Sequence, residues 1–158
     1  MNILLARIDD RFIHGQVVTR WVKEYPAQRL IVVSDAVAGD ELRKSLLISV
    51  APANMTASVV SVEKMIKAFH SPRYEGVTAF LLFENPRDVL RLVEGGVDIT
   101  SVNVGGMRFE NDRQQITKSV SVNQDDIAAF KVLQSRGVKQ ELRQLPSDTP
   151  VDFMTKLK

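Results

Sequence analysis

The chain contains no cysteine. Disulfide bridges, thiolate nucleophiles and cysteine-held zinc or iron–sulfur centres are therefore excluded. Histidine is scarce, with two in the whole chain, so a histidine-rich metal site has little to draw on. Long hydrophobic runs are missing too. No stretch approaches the ~20 apolar residues of a membrane-spanning helix, and the amino end, MNILLARIDD, lacks the basic start and long apolar core of a signal peptide. Charge of one sign is not in excess: the formal net charge of +2 is too small to argue for nucleic acid on bulk electrostatics. These absences lead us to expect a cytoplasmic protein that inserts in no membrane and, if it serves a membrane process, does so by docking.

What is present describes an ordinary globular chain. Apolar residues make up 44% and charged residues 25%, which argues against disorder. The 158 residues suit one domain, 1–158, without linker, repeat or low-complexity tract. Short apolar runs alternate with helical patterns. ILLARI (3–8), RLIVVSD (29–35), TASVVS (56–61), VTAFLLF (77–83), ITSVNVGG (99–106) and KQELRQL (139–145) read as strands, with QITKSVSV (115–122) as a candidate for a further one. GQVVTRWVKEY (15–25), with Val17, Val18, Trp21 and Val22 on one side, reads as a helix. GDELRKSLLISVA (39–51) reads as another, with Leu42, Leu46 and Leu47 on its inner face. Further helices are expected over 62–69, 86–96 and 123–137, the last capped by Asn123, with a short one closing the chain within 147–158. The alternation predicts an α/β fold: an open, mostly parallel central sheet with helices on both faces. Ligands of such sheets gather beyond the carboxyl ends of the strands. Asp9, Ser34–Asp35 and Gly105–Gly106 all fall there.

So does His14, in RIDDRFIHGQVVTRW (7–21). An isolated histidine most often fills a gap and bonds to backbone. Three features shift the balance here. Gly15 lets backbone approach a bound group. An expected helix start follows, whose free N–H groups favour an anion. Arg11 precedes His14 by three residues, with Arg7 and Arg20 nearby in sequence, and arginine forks suit phosphate oxygens. Together these describe a phosphate seat with a nucleophile in it, because neutral imidazole is nucleophilic near neutral pH. One of the aspartates Asp9 and Asp10 could orient the ring or hold an arginine; for Asp9 a turn-forming role is the better supported reading. Arg7, inside the strand pattern, could face either way. A magnesium site from Asp9, Asp10 and Asp35 ranks low, since the third strand offers no aspartate to complete a receiver-type site. His70, near a helix end, reads as a structural donor to free carbonyls. Trp21 reads as core. The glycine pair in NVGGM (103–107) suits a tight turn or the border of the site.

The motif ARIDDRFIHGQVVTRW closely resembles the active-site segment of the IIB components of the mannose/fructose/sorbose family of the bacterial sugar phosphotransferase system. The resemblance extends through RLIVVSDAVAGDELRKSLLISVAP (29–52), VEKMIKAFHSPRYEG (62–76), LLFENPRDVLRLVEGGV (81–97), SVNVGGMRFENDRQQITKSVSV (101–122) and DIAAFKVLQSRGVKQELRQLPSD (126–148). It implies a phosphotransferase that accepts a phosphoryl group from phospho-IIA on a histidine, here His14. The group then passes to a sugar crossing the membrane through the IIC and IID proteins. By resemblance the phosphate sits on Nδ1, Arg11 is its main ligand, and Gly15 and Gln16 belong to the same loop. Asp10, Ser34 and Asp35 are expected at the edge of the pocket. No metal or cofactor is implied. The chain looks like a free-standing IIB, peripheral to the inner face of the membrane, with a homo-oligomer left open. The stretches 69–86 and 105–112 look most like fructose/levan-type members, with mannose and sorbose open as sugars.

Two other readings compete. One is a nucleotide- or flavin-binding module of similar fold, against which stands the lack of a GxGxxG fingerprint after the first strand. The other is an interaction protein whose partner binding does not depend on His14.

Overall fold

The computed structural model describes residues 1–15, 17–110 and 112–157. In chain order the elements are β1 (Asn2–Asp9), a π turn (Val17–Trp21) continued by α1 (Val22–Glu24), β2 (Arg29–Val33), α2 (Asp35–Ala38), α3 (Glu41–Ser49), β3 (Thr56–Val60) and α4 (Val62–His70). There follow β4 (Thr78–Phe83), α5 (Pro86–Glu94), β5 (Ser101–Gly106), β6 (Gln114–Gln115), β7 (Ser121–Val122), α6 (Gln124–Ser135), β8 (Lys139–Leu142) and β9 (Val151–Asp152).

Among the described residues, seven strands form one sheet in the order β3-β2-β4-β1-β5-β8-β9. All its pairings are parallel except β8–β9, which closes one edge antiparallel. The expected open α/β sheet is therefore the fold. β1 lies between β4 and β5 and is buried along Ala6–Asp9. Side chains alternate across the sheet as the pleat requires. Ala6, Ile8, Ile31, Val33, Ala79, Leu81 and Phe83 join the core under α4, α5 and α6, with Met65, Val89, Leu92, Phe130 and Leu133. Leu30, Val32, Phe80 and Leu82 face the other way, against Phe12, Ile13, Trp21 and Val22. Helices begin on side-chain caps where strands end. Ser34, Ser61 and Asn85 accept from the amides of Val37, Lys64 and Asp88, and Asn123 shares a capping box with Asp126.

Several local expectations are corrected. The strand at 29–35 stops at Val33, because Ser34 turns the chain as a cap and Asp35 opens α2. The helix over 15–25 is a π turn followed by a single α turn. The side chains of Val17 and Val18, expected on its inner side, lie outside what is described. Residues 115–122 form a two-stranded hairpin, β6 with β7, rather than one strand. The chain end makes β9 and then a 3-10 turn, Phe153–Lys156, that buries Phe153. In α3 only Leu47 of the three leucines reaches the core; Leu42 and Leu46 face solvent.

Candidate active site

β1 delivers the site. Leu5, Arg7 and Asp9 share one face of the strand by alternation, the face covered by Trp21. The β1–β5 register shifts between Ile8 and Asp9, the kind of irregularity that re-aims a side chain at a sheet end. The chain then turns tightly, with the Phe12 amide donating to the Asp9 carbonyl at 2.9 Å. Phe12 stands at φ 58°, a left-handed conformation unusual for a bulky residue. Burial holds it there: Phe12 and Ile13 are both inserted into the core cluster of Trp21 and Val22. Two buried anchors just before His14 thus fix a loop whose next residues, His14 and Gly15, reach the surface.

Asp9 is the hub. It is fully buried and meets three cationic or basic side chains. Oδ2 lies 3.3 Å from Arg7 Nη2 and 3.2 Å from His14 Nε2. Oδ1 lies 3.3 Å from Arg11 Nε and accepts the Arg11 amide at 3.2 Å. The His14 contact is at ion-pair distance, but the ring N–H is not aimed along it, so Nε2 makes no well-formed hydrogen bond. We read it as an electrostatic contact that a small ring rotation converts to a hydrogen bond. Burial by itself raises the Asp9 pKa; His14, Arg7 and Arg11 together outweigh it and hold the carboxyl below its ordinary range. Asp9 is thus an anion in the resting site.

Arg7 is as deeply buried as Asp9. Its guanidinium donates to Asn103 Oδ1, to the Arg143 carbonyl at 3.0 Å and to the Gln144 carbonyl at 3.2 Å, and sits 4.7 Å from the centre of the Trp21 ring. Trp21 Nε1 donates to the same Gln144 carbonyl at 3.0 Å. Burial pulls the Arg7 pKa down to about 10, with Asp9 acting against that fall, so it remains a cation at neutral pH. Space for the guanidinium comes from Gly105: a Cβ there would collide with Nη2 of Arg7. Gly105 and Gly106 lie in β5 rather than in a tight turn.

The other expected site residues are placed as follows. Arg11 is exposed and His14 half-buried. Gly15 is exposed, and a Cβ there would meet open space; its carbonyl accepts from Thr19 Oγ1 at 3.2 Å. Gln16 lies outside the described residues. Asp10 turns away from His14's partners to accept the Arg108 amide at 2.8 Å, with Arg113 at 4.0 Å. It borders a polar cleft of about 170 Å³ with Glu84, Asn85, Arg87 and Arg108. Ser34 caps α2 and donates to Glu84 at 3.2 Å. Asp35 accepts the Val62 amide at 2.8 Å and pairs with Arg91 at 2.8 Å, bonds that hold its carboxyl below the ordinary range. Among the described residues, no group of three acidic or histidine side chains could hold a metal ion, and no helix is long and apolar enough to cross a membrane. His70 accepts its structural role, with Nε2 2.9 Å from the Gly95 carbonyl. A roomier apolar groove of about 530 Å³ runs along β8 from Val138 to Glu141, between the end of α6 and β9. Its lining includes none of residues 7–15.

The sequence reading undervalued Asp9 and Arg7. A signal was there: an arginine inside an apolar strand needs a buried counter-charge, and the next residue on its face is Asp9.

Known proteins share this fold. The model of the PTS system sorbose subfamily IIB component matches residues 3–158. The PTS system fructose-specific EIIB component of Bacillus subtilis (strain 168) is 69% identical over 154 residues, covering 98% of this chain and 94% of that protein. The PTS system mannose-specific EIIAB component of Escherichia coli (strain K12) is 56% identical over 98% of this chain, which spans 48% of that longer protein. Among solved structures, the IIBSor domain of the sorbose permease from Klebsiella pneumoniae superposes with a TM-score of 0.97 at 48% identity, covering 99% of this chain and 96% of that one. None of these favours a nucleotide- or flavin-binding module. The buried Asp9, the loop it organises and the sheet beneath them thus occur in a chain that belongs to the sorbose subfamily of PTS IIB components.

Proposed function

We propose that this chain, as one domain over 1–158, is a phosphocarrier in which Nδ1 of His14 takes a phosphoryl group from phospho-IIA and gives it to a sugar. The sugar enters through membrane IIC and IID proteins, with the chain at the inner face of the membrane. The observation that carries the reading is the buried Asp9 carboxylate 3.2 Å from His14 Nε2. Once a small rotation of the ring turns this contact into a hydrogen bond, the carboxylate keeps the proton on Nε2 and leaves the lone pair on Nδ1. That lone pair forms the new N–P bond as the donor's N–P bond breaks, and the donor histidine leaves neutral. The His14 ring becomes an imidazolium, whose charge Asp9 balances. The phosphoryl oxygens, carrying roughly two negative charges, draw Arg11, which reaches the surface from the same carboxylate. Gly15 and Gln16 complete the phosphate loop, while Asp10, Ser34 and Asp35 hold the neighbouring loops by the bonds described above. In the second half a sugar hydroxyl oxygen forms the P–O bond, its proton passes to water, and the His14 N–P bond breaks with its electron pair returning to Nδ1, leaving the imidazole neutral. Phosphoryl transfer of this kind depends on positioning and charge more than on covalent machinery. Fructose is the first sugar to try, because the 69% identical relative is fructose-specific; mannose and sorbose follow.

The test is intact mass after incubation with phosphoenolpyruvate, the general phosphocarrier proteins and IIA of a fructose-type system. Wild type and His70→Ala should each gain one phosphoryl group and His14→Ala none. Equal labelling of His14→Ala would sink the reading.

A further inference from the structure

The outer face of α3 carries leucine where a solvated helix carries charge. Leu42 is 73% exposed and Leu46 60%, and Val50, just past the helix, is 54% exposed. Steps of four residues place all three in one stripe. Scattered exposed apolar residues are ordinary, but an aligned set marks a contact surface. The stripe is tied to the active loop. No residue of α3 is buried. Leu47 packs against the core cluster to which Phe12, Ile13 and Trp21 belong, α3 also lies against α2 and β3, and its direct tie to the loop is the Arg43 guanidinium 5.8 Å from the centre of the Phe12 ring. Phe12 is one of the two anchors of the His14 loop.

We infer that this stripe is the docking surface for the protein that donates the phosphoryl group to His14; the inference rests on the phosphocarrier reading above. A group moving directly between two histidines requires reacting atoms about 3–3.5 Å apart, so the donor's surface must lie flush against residues 10–15. A specific interface covers about 800 Å² of each partner, a disc of about 16 Å radius. The loop is too small to fill it, and the contact runs on to what borders the loop: Arg108 and Arg113 on the Asp10 side and α3 on the Phe12 side, of which α3 carries the aligned apolar stripe. Charge agrees with this occupant. Arg11 is exposed beside the carboxylate that faces His14 and Arg43 joins the stripe's own helix to Phe12, cations suited to a partner that brings a dianionic phosphoryl group beside an apolar patch. The donor's matching surface is apolar, with a neutral or acidic rim.

The Leu42→Ser/Leu46→Ser double variant tests this, with Val132→Ser, an exposed apolar position on α6, as control. Both leucines are exposed, so the fold is retained, and melting checks it. Two rates are measured: phosphorylation of His14 against the concentration of phospho-IIA of a fructose-type system, and transfer from prephosphorylated protein to sugar in permease-containing membranes. The double variant should raise KM for phospho-IIA about 10-fold or more with kcat within about 2-fold, leave the sugar step unchanged, and differ from Val132→Ser, which behaves as wild type. An unchanged KM overturns the inference. So does a loss confined to the sugar step, which assigns the stripe to the permease. If wild type itself takes no phosphoryl group from phospho-IIA, the carrier reading fails and the inference with it.

Discussion

Asp9 has two jobs that a single substitution separates. It counters the buried Arg7 and it faces His14 Nε2. Asparagine keeps its shape but loses its charge, and its amide can donate toward Nε2, which would push the ring proton onto Nδ1 and remove the nucleophile. An aspartate that orients a catalytic imidazole can be worth about 10⁴-fold in rate. We expect Asp9→Asn to slow phosphoryl uptake by about 10²-fold or more. The stability effect is separate: Arg7 would be left buried and without its counter-charge, which costs about 3–5 kcal/mol. Rates therefore need measuring well below the variant's melting point. Folded Asp9→Asn protein that takes up phosphate at the wild-type rate would refute the orienting role. At this scale spacing and resemblance singled out His14 and Arg11 in the sequence, and the structure sets both against Asp9. The sequence hid Asp9 and Arg7, because an Asp-Asp pair at a strand end also makes a good turn, and one arginine does not reveal which face it takes.

The elements show where periodicity suffices and where it fails. β2 and β4 were legible because central parallel strands are buried on both faces and read as unbroken apolar runs. The π turn was not, since five-residue bonding leaves no mark on side-chain spacing. α3 misled for another reason. Leucine spacing marks an apolar face without saying whether core or partner covers it, and here two of three leucines point outward. α5 carries a second conflict. Asp88 sits in its first turn, where the helix favours an anion. Burial nevertheless pushes its pKa up from 3.8 to about 6, and Glu84 adds repulsion. A carboxyl whose pKa is raised by folding binds protons more tightly when folded. Its contribution is greatest below about pH 4 and is lost as pH rises through about 6. Asp88→Asn removes that penalty. It should melt higher than wild type at pH 7.5, by up to about 3 kcal/mol, with the gap narrowing as pH falls through about 6 and closing only below about pH 4. A constant difference across that range would mean that Asp88 does not titrate there.

For the whole molecule, the alternation of strands and helices predicted the architecture, and the strand order places β1 in the middle of it. Pairing order depends on contacts between distant segments, such as β1 beside β4 and β5, and no local pattern encodes those. The middle position matters, because it buries Arg7 and Asp9 while the loop they organise emerges at the surface. Trp21 closes over Arg7. As the chain's one tryptophan, lying 4.7 Å from the Arg7 guanidinium, it makes the protein its own optical probe. Nearly all the ultraviolet emission excited at the red edge of indole absorption comes from a ring that feels the charge balance of the site. Arrival of the phosphoryl group should change the intensity or wavelength of that light on the timescale of transfer, and His14→Ala should stay dark to the same donor. Stopped-flow fluorescence would then follow each turnover without a label; identical traces from the two proteins would show that the ring does not sense the event.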